Sequence, residues 1–247
     1  MIRAVTLDCW GTLLLDGPGS DDRYRPQRLR AFATVLSAAG VTVSAAQLER
    51  AYTASGRRLA AVWQRLRDVP VEGHVSAVLE AVDPDLPARL AATTIAELVD
   101  AYASPALRVP PAVDDGARTA LAELKTRGLA LAVVSNTMRT PGAVLRQVLD
   151  RAGLLVPFAA LTFSDECGIR KPDPEIFLRT LREVGVRPEE AVHVGDDPVL
   201  DVEGARDAGM AGVIQVAAGG RATGPVKPDS VIGDLAALPA ALDRLCS

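Results

Sequence analysis

The sequence feature that most constrains the fold is a continuous apolar run, residues 129–134, followed by the hydroxyl and amide groups of Ser135 and Asn136. A strand with one solvated face alternates apolar and polar residues, whereas an unbroken run is typical of a strand covered on both faces in a parallel sheet. Gly128 precedes the run and is a usual residue at the end of a helix. The run therefore predicts a buried strand of a parallel sheet.

Strand and helix patterns alternate along most of the chain. A first apolar strand ends at Asp8. After residue 134 the pattern predicts a helix over about 142–152, a strand over 160–163, a helix over 174–184, a strand over 191–194, a helix over 199–208, a strand over 212–216, and a last short strand with a helix. This alternation predicts an α/β fold with a Rossmann-like, mostly parallel sheet.

The stretch from about residue 23 to residue 102 has helical periodicity and no strand pattern. Ser44 and Gln47 have the spacing of a capping box at the start of one helix. We therefore predict an all-helical insert over residues 17–104, and an α/β core formed by residues 1–16 and 105–247.

Charge and cysteine content narrow the class of protein. The 27 basic and 31 acidic residues give a net charge of −4, which provides no positive field to attract nucleic acid or an anionic membrane. Three cysteines without metal-ligand spacing indicate a reducing compartment, and two distant histidines argue against a zinc site. No apolar stretch has membrane-spanning length. We expect a soluble, cytoplasmic protein that acts on a small molecule.

Polar residues stand at the ends of three predicted strands: Asp8, then Ser135 with Asn136, then Asp196. Parallel strands end at the same edge of a sheet, where ligands bind in open α/β folds, so we expect these groups to converge. Asp201 follows within the next turn of chain. Such an oxygen-rich set suits Mg²⁺ better than zinc or copper. For Asp197 and Asp201, capping of the following helix is the alternative interpretation.

Lys171 is the cation predicted to join this site. Pro174 favours a helix start, which would hold Lys171 near the sheet edge. A lysine there could balance clustered carboxylates and bind a phosphoryl oxygen. The neighbouring Arg170 could do the same, although we expect it to be solvated.

These stretches, in this order, resemble the motifs of the haloacid dehalogenase-like hydrolase superfamily. They are LDCWGTL at 7–13, VSNT at 134–137, RKPDP at 170–174, and VGDD at 194–197 with Asp201, Gly204 and Ala205. The helical insert resembles the cap domain of the haloacid dehalogenase/phosphoglycolate phosphatase branch. The resemblance thus implies a catalytic core with a helical cap and a small anionic substrate.

The resemblance also implies a role for each matching residue. Asp8 would be the nucleophile that forms a covalent aspartyl intermediate. Mg²⁺ would bind Asp8, Asp196 and the backbone carbonyl of Trp10. Ser135 would donate a hydrogen bond to the transferring group, with Asn136 beside it, and Thr12 would help to shape the loop. Lys171 would stabilise charge on the intermediate. Asp201 would support the metal or Lys171.

Trp10 departs from the family's phosphatase pattern, which has a second aspartate as general acid and base at this position. An indole donates one hydrogen bond but does not exchange a proton. Dehalogenases of the family have a tyrosine there and need no metal. Their fourth motif, however, lacks an acidic residue, whereas Asp196 and Asp201 keep that motif acidic in this chain.

Three functions remain open. They are a Mg²⁺-dependent phosphatase of a small phosphomonoester, a metal-independent 2-haloacid dehalogenase-type hydrolase, and a binding or regulatory protein with little turnover. The acidic fourth motif favours the first.

Overall fold

The computed structural model describes residues 1–15, 20–217 and 224–246. Its centre is a six-stranded parallel sheet with the order β3-β2-β1-β4-β5-β6. The strands are β1 Ala4–Leu7, β2 Ala130–Ser135, β3 Ala160–Phe163, β4 Ala191–Gly195, β5 Gly212–Val216 and β6 Ser230–Ile232. The predicted Rossmann-like α/β sheet is confirmed.

Helices cover both faces of the sheet and also form the insert between β1 and β2. In chain order the α-helices of the described residues are α1 Ser20–Ala38, α2 Ala45–Trp63, α3 Val71–Val82, α4 Leu86–Arg89, α5 Ala92–Ala103, α6 Pro105–Arg108, α7 Ala117–Thr126, α8 Gly142–Arg151, α9 Ser164–Cys167, α10 Pro174–Val184, α11 Gly204–Asp207 and α12 Leu238–Cys246. Apolar residues of α7, α8 and α12 pack on one face, and those of α10 and α11 pack on the other. The sheet is therefore the middle layer of three, which explains why its strands are apolar on both sides.

Residues 20–103 form the helices α1 to α5 with short connections, as predicted, and have a hydrophobic core of their own. Phe32, Leu48, Val78 and Tyr102 belong to that core. The capping box at the start of α2 is present, because Ser44 accepts from the Gln47 amide and the Gln47 side chain accepts from the Ser44 amide. The predicted boundary between residues 16 and 17 lies outside the described residues.

One predicted helix has a different internal geometry. The stretch predicted as a helix over 199–208 begins with a π-helical turn, Pro198–Glu203, that continues into α11. Asp197 caps this turn by accepting from the amides of Val199 and Leu200, each at 2.9 Å. The capping interpretation thus describes the contacts of the Asp197 side chain.

Candidate active site

The site lies where the strand order reverses, at the carboxyl end of the central strand β1. β1 is flanked by β2 and β4, so the residues that follow these three strands meet at one edge. Asp8 follows β1 directly, and its amide donates to the Val194 carbonyl of β4 at 2.8 Å. Such a switch point is the usual ligand-binding crevice of an open α/β sheet.

The loop after Asp8 turns tightly and leaves room for an acidic side chain. Gly11 has a φ of +79°, and a Cβ on it would lie 2.4 Å from an oxygen of Asp196. The Gly11 amide donates to the Leu14 carbonyl at 2.6 Å. Glycine is required here for both reasons, because an L-residue disfavours this φ and any side chain would collide with the Asp196 carboxylate.

Three buried carboxylates form a cluster at this edge. One oxygen from each of Asp8, Asp196 and Asp201 lies within 4.8 Å of the others. Like charges at such distances in a buried site repel one another, and a hard divalent cation with oxygen ligands would relieve the repulsion. The residues present therefore fit Mg²⁺.

Lys171 lies between two of the carboxylates. Its Nζ is 2.6 Å from Asp8 Oδ1 and 2.6 Å from Asp201 Oδ1. Asn136 fixes the backbone at this residue: its Nδ2 donates to the Lys171 carbonyl at 3.0 Å, and its Oδ1 accepts from the Lys171 amide at 2.8 Å. Two sequence-distant loops thus place the ammonium group beside Asp8.

The Asp201 carboxylate also contacts His193, a residue that sequence reasoning did not select. His193 Nε2 lies 3.0 Å from Asp201 Oδ1, and Nδ1 lies 2.8 Å from the Thr6 hydroxyl. Burial lowers the pKa of His193, so we assign a neutral ring that donates from Nε2 to Asp201 and accepts at Nδ1. A histidine inside an otherwise apolar buried strand was the available signal, since its ring nitrogens need partners.

Opposing effects set the protonation of the cluster. Burial raises the pKa of Asp8 to about 6, although the attraction of Lys171 opposes that shift. Burial also disfavours the charged forms of Asp201 and Lys171. The attraction between these two opposite charges outweighs the effect of burial, so the pKa of Asp201 is lowered and that of Lys171 is raised. Lys171 and Asp201 are therefore an ion pair across the neutral pH range.

A small cavity of about 60 Å³ opens onto the cluster. The described residues that line it include Asp8, Trp10, Asn136, Lys171, Asp196 and Asp201. Thr12 and Ser135 are fully buried and do not line the cavity, and neither hydroxyl has a hydrogen-bond partner in the described part of the chain. The structure thus brings six of the eight predicted site residues to the cavity wall.

Arg170 is not solvated, and that expectation was wrong. It is 5% exposed and lines the same cavity. Its Nη1 donates to the Thr137 carbonyl at 2.6 Å and to Asp68, a buried carboxylate of the helical insert. No local sequence pattern indicates this partner, because Asp68 is 102 positions away.

The backbone joins insert and core at the same place. The amide of Asp68 donates to the Gly168 carbonyl at 3.1 Å, and the amide of Arg170 donates to the Leu66 carbonyl at 3.1 Å. We call residues 66–68 and 168–170 the latch. The latch ends one residue before Lys171, so it connects the insert directly to the active-site loop.

Known proteins with similar sequences include enzymes named as phosphatases. The chain is 42% identical over 140 residues to a phosphoserine phosphatase of Thermus thermophilus, and the aligned stretch covers 56% of this chain and 54% of that protein. It is 34% identical over 142 residues to a glyceraldehyde 3-phosphate phosphatase of Methanopyrus kandleri, and that alignment covers 56% of this chain and 55% of the relative. The chain therefore matches little more than half the length of these relatives.

Solved structures match over nearly the whole chain. A 2-haloacid dehalogenase from Pseudomonas syringae pv. Tomato DC3000 is 26% identical, with a TM-score of 0.73 over 99% of both chains. A haloacid dehalogenase-type phosphatase from Thermococcus onnurineus is 24% identical, with a TM-score of 0.63 over 98% of both chains, and supports the fold.

Two further observations bear on the class of protein. In the described part of the chain, every helix is too short or too polar to span a lipid bilayer. The haloacid dehalogenase-like hydrolase family model matches residues 2–209, which include all four motifs around the carboxylate cluster. The resemblance found in the sequence is thus confirmed, and the chain belongs to the haloacid dehalogenase-like hydrolases.

Proposed function

We propose that this hydrolase is a Mg²⁺-dependent phosphatase that cleaves a small phosphomonoester through an aspartyl-phosphate on Asp8. The observation that carries the proposal is the buried cluster of Asp8, Asp196 and Asp201 around Lys171. An anionic phosphoryl group needs cations on several sides, and this cluster offers one ammonium group and a set of ligands for a second cation.

In the proposed reaction, Asp8 is the nucleophile, and Lys171 and Asp201 stabilise the phosphoryl group and its charge. The Asp8 carboxylate attacks phosphorus, a new P–O bond forms, and the bond to the leaving oxygen breaks with its electron pair on that oxygen. Water then attacks the aspartyl-phosphate, which releases inorganic phosphate and restores the Asp8 carboxylate. Lys171 stabilises the negative charge of the phosphoryl oxygens, and Asp201 keeps Lys171 charged and in place.

The remaining site residues bind the metal and the phosphoryl group. Asp8, Asp196 and the backbone carbonyl of Trp10 would hold Mg²⁺. When bound, Mg²⁺ supplies charge neutralisation at the phosphoryl oxygens. Ser135, whose buried hydroxyl has no hydrogen-bond partner among the described residues, would donate to a phosphoryl oxygen. Asn136 would lie beside that group, and Thr12 would shape the loop that carries Asp8.

We further propose that residues 17–104 act as a cap domain over this core. The latch and the buried contact between Asp68 and Arg170 support a cap function, because they tie the insert to the loop that carries Lys171. A cap that closes over the carboxylate cluster would exclude water from the phosphoryl group.

The two relatives named as phosphatases support this reaction type. The alternative is a 2-haloacid dehalogenase-type hydrolase, in which Asp8 attacks carbon and releases halide. Two observations favour the alternative: the aromatic side chain at Trp10, and the structural match to a dehalogenase at 26% identity. The intact set of three carboxylates favours the phosphatase, because the displacement of halide needs no metal.

The test is a screen of small phosphomonoesters and 2-haloacids, with and without EDTA. We expect phosphate release that EDTA abolishes and Mg²⁺ restores, and a loss of about a thousandfold or more in Asp8→Asn. Asp115→Asn removes an exposed carboxylate outside the site and serves as the matched control. Turnover that survives Asp8→Asn would refute the mechanism, and EDTA-resistant halide release would establish the alternative. Mg²⁺ binding without turnover on either panel would indicate a binding protein instead.

A further inference from the structure

A buried chain of polar side chains runs from the active site into the sheet. Lys171 Nζ contacts both Asp8 and Asp201. Asp201 Oδ1 in turn lies 3.0 Å from His193 Nε2, and His193 Nδ1 lies 2.8 Å from the Thr6 hydroxyl. The side chains of His193 and Thr6 are fully buried, and the proposed reaction uses neither of them. Polar groups inside an apolar sheet cost free energy unless they are paired, so the presence of this chain points to a function.

The inner end of this chain provides no exit for a proton. Thr6 belongs to the central strand β1, which is covered by β2 on one side and β4 on the other. Among the described residues, its hydroxyl hydrogen-bonds only to His193. A proton that reached Thr6 would therefore find no further acceptor. The chain thus orients side chains and does not conduct protons to solvent.

The His193 ring is fixed on both its edge and its face. The Thr6 hydroxyl donates to Nδ1, which leaves the ring proton on Nε2, where the Asp201 carboxylate accepts it. The Phe177 ring of α10 meets the imidazole at an interplanar angle of 87°, with the ring centroids 4.9 Å apart. The Nε2–H donor is therefore held at one position relative to Asp201.

Asp201 receives its donors at both oxygens. Oδ2 accepts from the Asp197 amide at 2.9 Å, and a Cβ on Gly195 would collide with the carboxylate, so the backbone confines this side. On the other side, Oδ1 accepts from Lys171 and from His193. Removal of His193 would leave the Lys171 ammonium group and Oδ1 free to shift together, with no fixed donor to hold them.

We propose that His193 is a positioning residue for the reaction, and that Thr6 fixes its ring. His193 directs the Asp201 carboxylate to Lys171 and so keeps the ammonium group beside the nucleophile. The kinetic part of this inference rests on the proposed function, in which Lys171 stabilises charge on the phosphoryl oxygens. A displacement of about 1 Å in a positioned group can cost about a hundredfold in rate. Loss of the contact should therefore slow the chemical step more than it weakens substrate binding.

The kinetic test compares two substitutions of the same ring. His193→Leu removes both hydrogen bonds, whereas His193→Gln retains an N–H for Asp201 and an oxygen that can accept from Thr6. With 4-nitrophenyl phosphate and Mg²⁺, we expect kcat to fall by about tenfold to a hundredfold in His193→Leu while KM changes by less than about threefold. His193→Gln should recover most of that loss. A His193→Leu variant with the kcat of the wild type, or equal losses in both variants, would overturn the proposal.

Thr6 provides a milder pair of variants that keep the imidazole. Thr6→Val removes the hydroxyl with little change of shape and should lower kcat by about threefold to tenfold, whereas Thr6→Ser should stay within about twofold of the wild type. Thr180→Val is the matched control, because it removes a buried hydrogen bond between Thr180 and Thr162, at 2.7 Å, outside the site. This control should lower the melting temperature and leave kcat unchanged. A Thr6→Val variant that behaves like the control would overturn the proposal.

A measurement on the resting protein separates this inference from the proposed function. The chain has three lysines, of which Lys125 and Lys227 are exposed and Lys171 is buried. With isotope-labelled lysine, the ammonium NMR signal of Lys171 should be protected from solvent exchange in the wild type, be lost in His193→Leu and return in His193→Gln. If the wild type releases no phosphate from any substrate, the phosphatase fails, and these spectra decide the positioning role alone. Loss and return of the signal support it, and a signal unchanged in His193→Leu overturns it.

Discussion

Trp10 determines how the leaving group departs in the proposed reaction. The leaving oxygen needs a proton unless it is a weak base, and an indole at this position cannot supply one. General acid catalysis commonly contributes about 10²- to 10⁴-fold in rate. The proposed phosphatase should therefore depend on the intrinsic stability of its leaving group.

We predict a steep dependence of kcat/KM on leaving-group pKa in a series of substituted phenyl phosphates. From 4-nitrophenyl phosphate to unsubstituted phenyl phosphate, kcat/KM should fall steadily, with alkyl esters slower by a further factor of about 10² or more. Single-turnover measurements keep phosphate release from masking the chemical step. A flat series would show that another group donates the proton.

Site residues that follow strands could be predicted from the sequence, and those that depend on remote partners could not. Asp8, Asn136 and Asp196 stand where a buried strand ends, and topology alone brings such positions together. The burial of Arg170 depends on a carboxylate from the insert, and the role of His193 depends on Thr6 of the neighbouring strand. No local pattern reveals such pairs.

At the scale of elements, the same limit applies to helix geometry. Periodicity located β3, α10 and β5 at the bounds that the structure has, because each has a clear apolar pattern with turn residues at its ends. The π-helical turn 198–203 could not be predicted, since it differs from an α-helix in a backbone hydrogen bond, from the Val202 amide to the Asp197 carbonyl at 3.2 Å, five residues back. Periodicity predicts where apolar residues are buried, but it does not distinguish that bond from the usual one between residues four apart.

At the start of helix α8, the protonation of the Asp165 carboxylate affects the stability of the fold. Both oxygens of Asp165 accept from the Gly142 amide there, each at 3.2 Å. Burial raises the pKa of Asp165 to about 6, although this hydrogen bond opposes the shift. The native state therefore holds a proton that the unfolded state has released, and stability decreases as pH rises from about 4 to about 6.

We predict that Asp165→Asn raises the melting temperature above pH 6 and changes it little at pH 4. The amide oxygen can still accept from Gly142, while the ionisation that opposes folding is removed. Calorimetry across this pH range measures the difference from the wild type. Asp150→Asn removes an exposed carboxylate from the same helix and serves as the matched control. An Asp165→Asn effect that is the same at pH 4 and pH 7.5 would contradict this account.

At the scale of the whole molecule, the carboxylate cluster links metal binding to folding. The unfolded chain does not hold Asp8, Asp196 and Asp201 together, so an ion that binds them binds the native state only. Stabilisation would reach about 2.7 kcal/mol at a Mg²⁺ concentration 100 times the Kd. For a chain of this size, each kcal/mol raises the melting temperature by roughly 2–4 °C.

We therefore predict that Mg²⁺ raises the melting temperature of the wild type by about 5–10 °C, and that EDTA reverses the rise. Gly11→Ala should abolish it, because the new Cβ would displace the Asp196 carboxylate. Gly40→Ala is the matched control: its φ of +77° imposes similar backbone strain, but nothing lies within 4 Å of the added Cβ. That variant should melt lower than the wild type and still respond to Mg²⁺. A wild type that does not respond would remove the metal site from the mechanism and leave Asp8 to act as it does in the dehalogenase alternative.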